Sequence, residues 1–118
     1  MEFDNNTPIY IQLVEELKIS IISGKLKPNE RIASVRELAL QKKVNPNTMQ
    51  KALTELENMK LIYTERTNGK FVTNDIKLIN EFKQKYADGL AFNYVKNMKS
   101  LGYTMNEIIE IIKESEKK

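Results

Sequence analysis

The chain has 118 residues and a net charge of +3, a length that accommodates one domain or one small domain with an extension. Cysteine and histidine are absent, which excludes disulfides, zinc sites built on these ligands and histidine-based acid–base catalysis. No apolar run approaches the roughly 20 residues that cross a bilayer, and the N-terminus is unlike a signal peptide. We therefore expect a cytoplasmic protein that does not associate with membranes.

The N-terminal segment predicts a helix. Thr7 is expected to cap it with its hydroxyl, Pro8 fits its first turn, and Gly24 ends it. Its apolar residues recur at helical spacing, at Ile9, Leu13, Val14, Leu17 and Ile21. A loop then leads to residues 31–33, which form at most a short strand.

Two further helices follow closely. The stretch SVRE, Ser34 to Glu37, matches a capping box, in which the serine and the glutamate each satisfy a free backbone N–H. This helix is expected to end near residues 42–43. Asn45 then caps a third helix, and Pro46 takes its first position, where the missing N–H costs nothing. The third helix has an apolar stripe of Met49, Ala52, Leu53, Leu56 and Met59.

After Leu61 the pattern changes from helical to extended. Residues 62–66 and 70–73 flank Asn68-Gly69, a dipeptide typical of a type I′ turn, which needs two residues at positive φ. Helix, short strand, helix, turn, helix and hairpin, in this order, predict a winged helix-turn-helix. The expected fold is mainly α (α+β), and we assign this DNA-binding domain to residues 1–74.

The last third of the chain predicts two helices. Asp75 is expected to cap a long helix that ends at Leu101-Gly102, and the capping box TMNE, Thr104 to Glu107, opens the final helix. We assign residues 75–118 to a helical dimerisation or effector tail. Its aromatic residues and isoleucines exceed what one short hairpin covers, so we expect a homodimer through this tail. Packing within a single chain is the alternative.

Positive charge is concentrated in the middle of the sequence. Residues 25–73 contain ten Lys and Arg and five Glu, a net +5, which leaves −2 for the remaining residues. A basic section between near-neutral ends favours a surface that binds a polyanion. Charge alone leaves open a solvated surface with an accidental bias.

The start of the third helix has the composition of a DNA-reading surface. Residues 44–54 contain no carboxylate, although 30% of the chain is charged. The second helix of a helix-turn-helix enters the major groove, where a carboxylate would repel phosphate. Amides pair with adenine, and lysine reaches guanine or phosphate. The candidate contacts here are Asn45, Asn47, Thr48, Gln50 and Lys51, and an ordinary surface helix with a good cap is the alternative.

Further candidates lie outside that helix. Arg36, in the first turn of the second helix, is assigned a phosphate or groove-edge contact, with a surface ion pair as the alternative. Asn68, Gly69 and Lys70 are assigned to the minor groove or flanking phosphate, because glycine allows the backbone to approach closely. A simple turn explains Asn68-Gly69 equally well. Two weaker candidates are Arg31 and Arg66.

The span from Pro8 to Thr73 resembles the DNA-binding domain of GntR-family transcriptional regulators. The matching stretches are GKLKPNERIASVRELA, NPNTMQKALTELENMKLI and NGKFVT, in the family's order and spacing. The resemblance implies DNA contacts by Arg36, by the first turns of the recognition helix and by the wing glycine, Gly69. Many members have arginine at the positions of Pro46 and Gln50, so the guanine contacts of those arginines do not carry over.

The NPNT start and the short tail resemble the YtrA subfamily. This implies a sequence-specific regulator of double-stranded DNA, a homodimeric repressor often of transporter operons, and its dimer predicts a palindromic operator. A winged-helix module that binds protein instead of DNA is the alternative, and an enzyme fits least. The sequence indicates no catalytic residue, no cofactor and no metal site, and it identifies no ligand-binding residue or small-molecule effector.

Overall fold

A computed structural model describes residues 6–118. In this part of the chain the elements are α1 (Ile9–Ile22), α2 (Val35–Lys42), α3 (Pro46–Asn58), β1 (Ile62–Glu65), β2 (Gly69–Val72), α4 (Ile76–Ser100) and α5 (Met105–Glu116). Five helices and a two-stranded sheet over the described residues confirm the expected fold class. None of these helices combines the length and apolar character that a membrane crossing requires.

The chain divides into two compact units, of which the first ends at Phe82 and the second is Lys83–Lys118. The expected domain boundary after residue 74 remains a prediction. Residues 1–5 of the expected domain, which include most of the segment judged unlike a signal peptide, lie outside the described residues.

Helix α1 buries Leu13, Val14, Leu17 and Ile21 of its predicted apolar stripe, together with Ile22. Ile9, at the start of the helix, is exposed, so the prediction is wrong at this position. It ends just before Gly24, which adopts a φ of +84°. The expected hydroxyl cap is wrong. Pro8 itself is the N-cap residue, and no side-chain cap hydrogen bond is present at this described helix end. Since proline takes the cap position, Thr7 lies one residue too early to serve there.

Helix α2 begins after Ser34, whose Oγ accepts a hydrogen bond from the Glu37 N–H at 3.1 Å. The second hydrogen bond of the expected capping box, from the Ser34 backbone N–H to the Glu37 carboxylate, is wrong. The Glu37 carboxylate accepts a hydrogen bond from the Ser34 hydroxyl, also at 3.1 Å, in place of one from the backbone. The helix ends at Lys42 as predicted, and Lys43 takes a left-handed conformation with φ +57°.

Helix α3 begins as predicted. The side-chain oxygen of Asn45 accepts the Asn47 N–H at 2.7 Å, and Pro46 is the first helical residue. Four residues of the apolar stripe are buried, and Met49 and Leu53 are fully inaccessible. The fifth, Met59, follows the last helical residue and is half-buried. Because α3 contacts α1, α2 and β1, its inward face is fixed on several sides. The polar face is thereby set in one orientation.

Strands β1 and β2 form an antiparallel hairpin in which Glu65 pairs with Gly69. The expected type I′ turn is wrong. Asn68 N–H donates to Glu65 O at 3.3 Å, and within the turn only Gly69 has positive φ, at +100°. The three connecting residues 66–68 are followed by this glycine, the first residue of β2, and a turn followed by a left-handed residue is another common hairpin connection. The expected short strand is reduced to a single bridge between Arg31 and Phe71.

The ends of α4 and α5 follow their predicted signals. Asp75 Oδ1 accepts the Leu78 N–H at 3.1 Å and caps α4. Thr104 and Glu107 form the complete capping box predicted for α5. Ile108 is fully buried. The exposed large apolar side chains of the second unit are Leu90, Phe92, Tyr94, Leu101, Tyr103, Met105, Ile109 and Ile112.

Candidate nucleic-acid interface

The start of α3 presents the polar surface that the sequence predicted. Asn47, Gln50 and Lys51 are exposed and Thr48 is half-buried, and the first turn of α3 contains no acidic residue. Burial of the apolar stripe turns these side chains away from the core. Amide, hydroxyl and ammonium groups are the ones that pair with base edges and phosphates. DNA contacts by these residues remain predictions.

Two of these polar side chains also form hydrogen bonds within α3 or its N-terminal cap. The side-chain oxygen of Asn45 is used in the cap of α3. Gln50 Nε2 donates to Thr54 Oγ1 at 3.2 Å on the exposed face. A base-edge contact by Gln50 must therefore compete with an exposed intrahelical hydrogen bond, which is easily exchanged.

Lys51 lies over the ring of Tyr10 at the start of α1. Its ammonium is 3.9 Å from the ring centroid, within the range of a cation–π interaction. Both residues, with Asn47, line an open depression of about 450 Å³. Sequence reasoning missed Tyr10, because the two residues are far apart in the chain and no local pattern pairs them.

Arg36 is exposed in the first turn of α2. Among residues 6–118, its guanidinium has no hydrogen-bond or ion-pair partner. The surface ion pair that the sequence left open is thus absent from the described residues. All the guanidinium donors of Arg36 are available to an external acceptor such as phosphate.

Lys70 lies in the β1–β2 hairpin, which is the wing, and its ammonium forms hydrogen bonds within the protein. Its Nζ lies 2.5 Å from Glu57 Oε1 and 3.0 Å from Thr64 Oγ1. The hydrogen bond from Lys70 lowers the pKa of Glu57 below its usual value. Glu57 belongs to the last turn of α3, so this ion pair fastens the wing to the recognition helix.

Asn68 and Gly69 form the tip of the wing. Asn68 Nδ2 donates to Glu65 Oε2 at 3.1 Å. The backbone carbonyl of Asn68 accepts a hydrogen bond from Arg31 Nε at 2.8 Å. The structure thereby brings Arg31, a weaker candidate in the sequence, against the wing tip. The contact spans 37 residues of sequence and has no local signal.

Residues 9–72 match the family model of bacterial regulatory proteins of the gntR family. The chain belongs to this family. The matched range lies within the span from Pro8 to Thr73 on which the resemblance was based, so the GntR assignment is confirmed.

Curated relatives of this GntR protein agree with that assignment. It is 36% identical over 112 residues to the uncharacterized HTH-type transcriptional regulator YhcF of Bacillus subtilis, covering 95% of this chain and 93% of that protein. It is 40% identical over 73 residues to the HTH-type transcriptional repressor YtrA of the same organism, covering 62% and 56%. The YtrA-like character expected from the NPNT start is consistent with the second match.

Solved structures extend the comparison to the fold. A GntR family transcriptional regulator from Listeria monocytogenes has a TM-score of 0.89 at 38% identity, covering 95% of this chain and 98% of that one. The DNA-binding domain of AraR in complex with operator ORR3 has a TM-score of 0.55 at 34% identity, covering 62% and 86%. The GntR winged-helix fold, followed by C-terminal helices, is therefore confirmed, and the chain is a GntR-type transcriptional regulator.

Proposed function

We propose that this GntR protein is a homodimeric repressor, not an enzyme, that binds a palindromic operator in double-stranded DNA. The observation that carries the proposal is the exposed, carboxylate-free start of α3, together with the Arg36 guanidinium, which has no partner among residues 6–118. Relatives support it, because YtrA is a repressor and the AraR domain was solved on an operator. A regulator of bacterial DNA works in the cytoplasm. YtrA-like resemblance makes a transporter operon the expected target.

In this proposal the start of α3 lies in the major groove. Asn47, Thr48 and Gln50 meet base edges, and Lys51 reaches guanine or phosphate. Asn45 offers its side-chain amide there while its oxygen retains the cap. Arg36 contacts the phosphate backbone, which sets orientation and affinity without reading sequence.

The wing supplies a second contact region. Asn68 and Gly69 approach the minor groove or flanking phosphates with the backbone of the turn. Lys70 joins them by exchanging the Glu57 carboxylate for a phosphate, since both offer the same kind of anionic oxygen. Its present pairing with Glu57 is compatible with this exchange, because the pair is partly exposed and such pairs contribute little energy.

A second copy of the chain is the proposed cover for the apolar surface of the second unit. Leu90 is 59% exposed and Phe92 is 68% exposed on α4, and Ile112 is 48% exposed on α5. Large apolar side chains exposed in this number on two helices favour an association surface. Two copies would place two reading helices at half-sites about one helical turn apart or at multiples of it. Their affinities would then combine through effective concentration.

Selection of bound fragments from the source genome tests the DNA-binding part of this proposal. Purified chain, mixed with sheared genomic DNA at about 0.15 M salt, is expected to enrich fragments that share one inverted repeat. Sequence-independent retention of all fragments would contradict the sequence-specific reader. Complete failure to retain DNA would favour the protein-binding module.

Sedimentation tests the dimer separately. The full chain is expected to sediment as a dimer at micromolar concentration, and Phe92→Glu is expected to shift it to monomer, because a carboxylate is costly in a buried apolar interface. Glu110→Gln is the matched control on α5 and should remain dimeric. A monomeric full chain would contradict the assignment of this surface.

A further inference from the structure

We propose that Arg31 is a positioning residue for DNA recognition, which holds the wing tip through the backbone carbonyl of Asn68. This role rests on the proposed function only in that the wing contacts DNA. The link itself is visible in the protein alone, as the hydrogen bond of 2.8 Å from Arg31 Nε to Asn68 O.

The backbone of Arg31 is itself fixed against the wing. Arg31 forms an antiparallel bridge with Phe71. On either side of it, Ile32 N donates to Lys70 O and Val72 N donates to Glu30 O, each at 2.9 Å. These bonds anchor the segment to β2, so the Arg31 side chain extends toward the turn from a rigid base.

Gly69 leaves the space that the guanidinium occupies. A Cβ at this position would lie 3.2 Å from Arg31 Nε, which is tighter than most Cβ contacts, and 3.4 Å from Nη2, which is an ordinary van der Waals contact. The φ of +100° also favours glycine here. Glycine therefore has two roles at the tip, since it permits the turn and lets the guanidinium lie against the backbone.

The other contacts of the turn are local. Asn68 N–H donates to Glu65 O at 3.3 Å and Asn68 Nδ2 donates to Glu65 Oε2 at 3.1 Å, and both partners belong to the hairpin. In the described part of the chain, Arg31 supplies the one hydrogen bond to residues 66–68 from outside the hairpin. Holding these residues before binding removes part of the ordering entropy that the wing would otherwise lose on DNA.

Two single variants separate position from charge. In Arg31→Lys the charge stays, but a methylene takes the place of Nε, so the donor at that position is lost. Arg66→Ala removes a charge from the same turn and leaves the Arg31 hydrogen bond in place. Arg31→Lys therefore loses the hydrogen bond without the charge, and Arg66→Ala loses a charge without the hydrogen bond.

The measurements are ¹⁵N order parameters of the free full chain and affinity for a selected operator. For Arg31→Lys we expect the order parameters of the Asn68 and Gly69 amides to fall from about 0.85 toward about 0.6. Operator affinity should fall about three- to tenfold with an unchanged salt slope. For Arg66→Ala we expect wild-type order parameters, with any loss of affinity accompanied by a shallower salt slope.

Wild-type order parameters in Arg31→Lys would overturn the proposal. So would a loosened turn with wild-type operator affinity, measured in a preparation where Arg36→Ala still weakens binding. In both cases the DNA-binding function would stand. A wild-type chain that binds no DNA would instead overturn the proposed function, and the positioning role with it.

Discussion

The ammonium of Lys70 in β2 lies 2.5 Å from the carboxylate of Glu57 in the last turn of α3. The lysine side chain is 17% exposed and the glutamate 34% exposed, so water reaches the pair only in part. One ion pair thereby joins the two elements that carry most of the predicted DNA contacts. The wing and the recognition helix are coupled before any DNA is present.

Replacing Glu57 tests this coupling through stability. Glu57→Gln is expected to lower the free energy of unfolding by about 0.5–1 kcal/mol at neutral pH. Because Lys70 lowers the pKa of Glu57 below 4.5 in the folded chain, the stabilisation is present above that ordinary value. It is lost as the pH falls through the lowered one.

Urea unfolding at neutral pH and at about pH 3 measures this effect. The wild-type and Glu57→Gln curves are expected to converge in acid. Glu110→Gln, which breaks a well-exposed pair with Lys113, serves as the control and should change little at either pH. If the difference in unfolding free energy between wild type and Glu57→Gln persisted unchanged in acid, the ion pair would not be its source.

Asn45 allows stability and DNA binding to be separated. Asn45→Ala removes the cap hydrogen bond to Asn47 and should cost about 0.5–2 kcal/mol of stability. Asn45→Asp keeps a capping oxygen and suits the helix N-terminus, so the fold should remain as stable as wild type. Its carboxylate would face phosphate, and operator affinity should fall at least about tenfold.

Thermal unfolding and anisotropy titrations of both Asn45 variants provide the two readouts. Wild-type affinity in Asn45→Asp would show that the start of α3 does not approach the phosphate backbone.

The contact between Tyr10 and Lys51 predicts that α1 contributes to recognition. Tyr10→Leu should weaken operator binding about two- to fivefold, because Lys51 loses a ring contact of about 0.5–1 kcal/mol that orients its ammonium. Tyr10→Phe keeps a ring and should stay near wild type. In a double-mutant cycle with Lys51→Gln, the two losses are expected to be less than additive. Additive losses would mean that Tyr10 acts independently of Lys51.

Local rules were enough to predict most of the fold. The cap at Asn45, the proline at position one and the stripe around Met49 each depend on neighbours within one or two turns of helix. The same holds for the capping box at Thr104 and for the end of α1 at Gly24. These elements were predicted with little error because no distant residue changes them.

The errors and omissions arise where local signals compete or are lacking. Asn68-Gly69 favours a type I′ turn, but the pairing of Glu65 with Gly69 fixes a longer loop with a single positive φ. At the start of α2, the Ser34 hydroxyl donates a hydrogen bond to the Glu37 carboxylate, which takes the place of the predicted bond from the backbone. The contacts that organise the candidate site, from Arg31, Tyr10 and Glu57, all cross long stretches of sequence. Periodicity contains no information about them.

Arg36 and Gln50 are predicted to have different roles, which a comparison of variants can distinguish. Arg36→Ala should weaken binding to many sequences alike, because a phosphate contact carries no sequence information. Gln50→Ala should mainly relax preference at particular base pairs, at a cost of about 1–3 kcal/mol for the preferred base. Binding to a panel of singly substituted operators measures both. Similar profiles for the two variants would show that the roles are misassigned.

The salt dependence of operator binding tests the central claim most directly, since that claim places the start of α3 and Arg36 against DNA. Anisotropy titrations of the full chain between about 50 and 200 mM salt should show log affinity falling linearly with log salt, by about 0.9 for each neutralised phosphate. Arg36→Ala should make this slope shallower by about one for each subunit. An affinity that does not change with salt over this range would contradict the account.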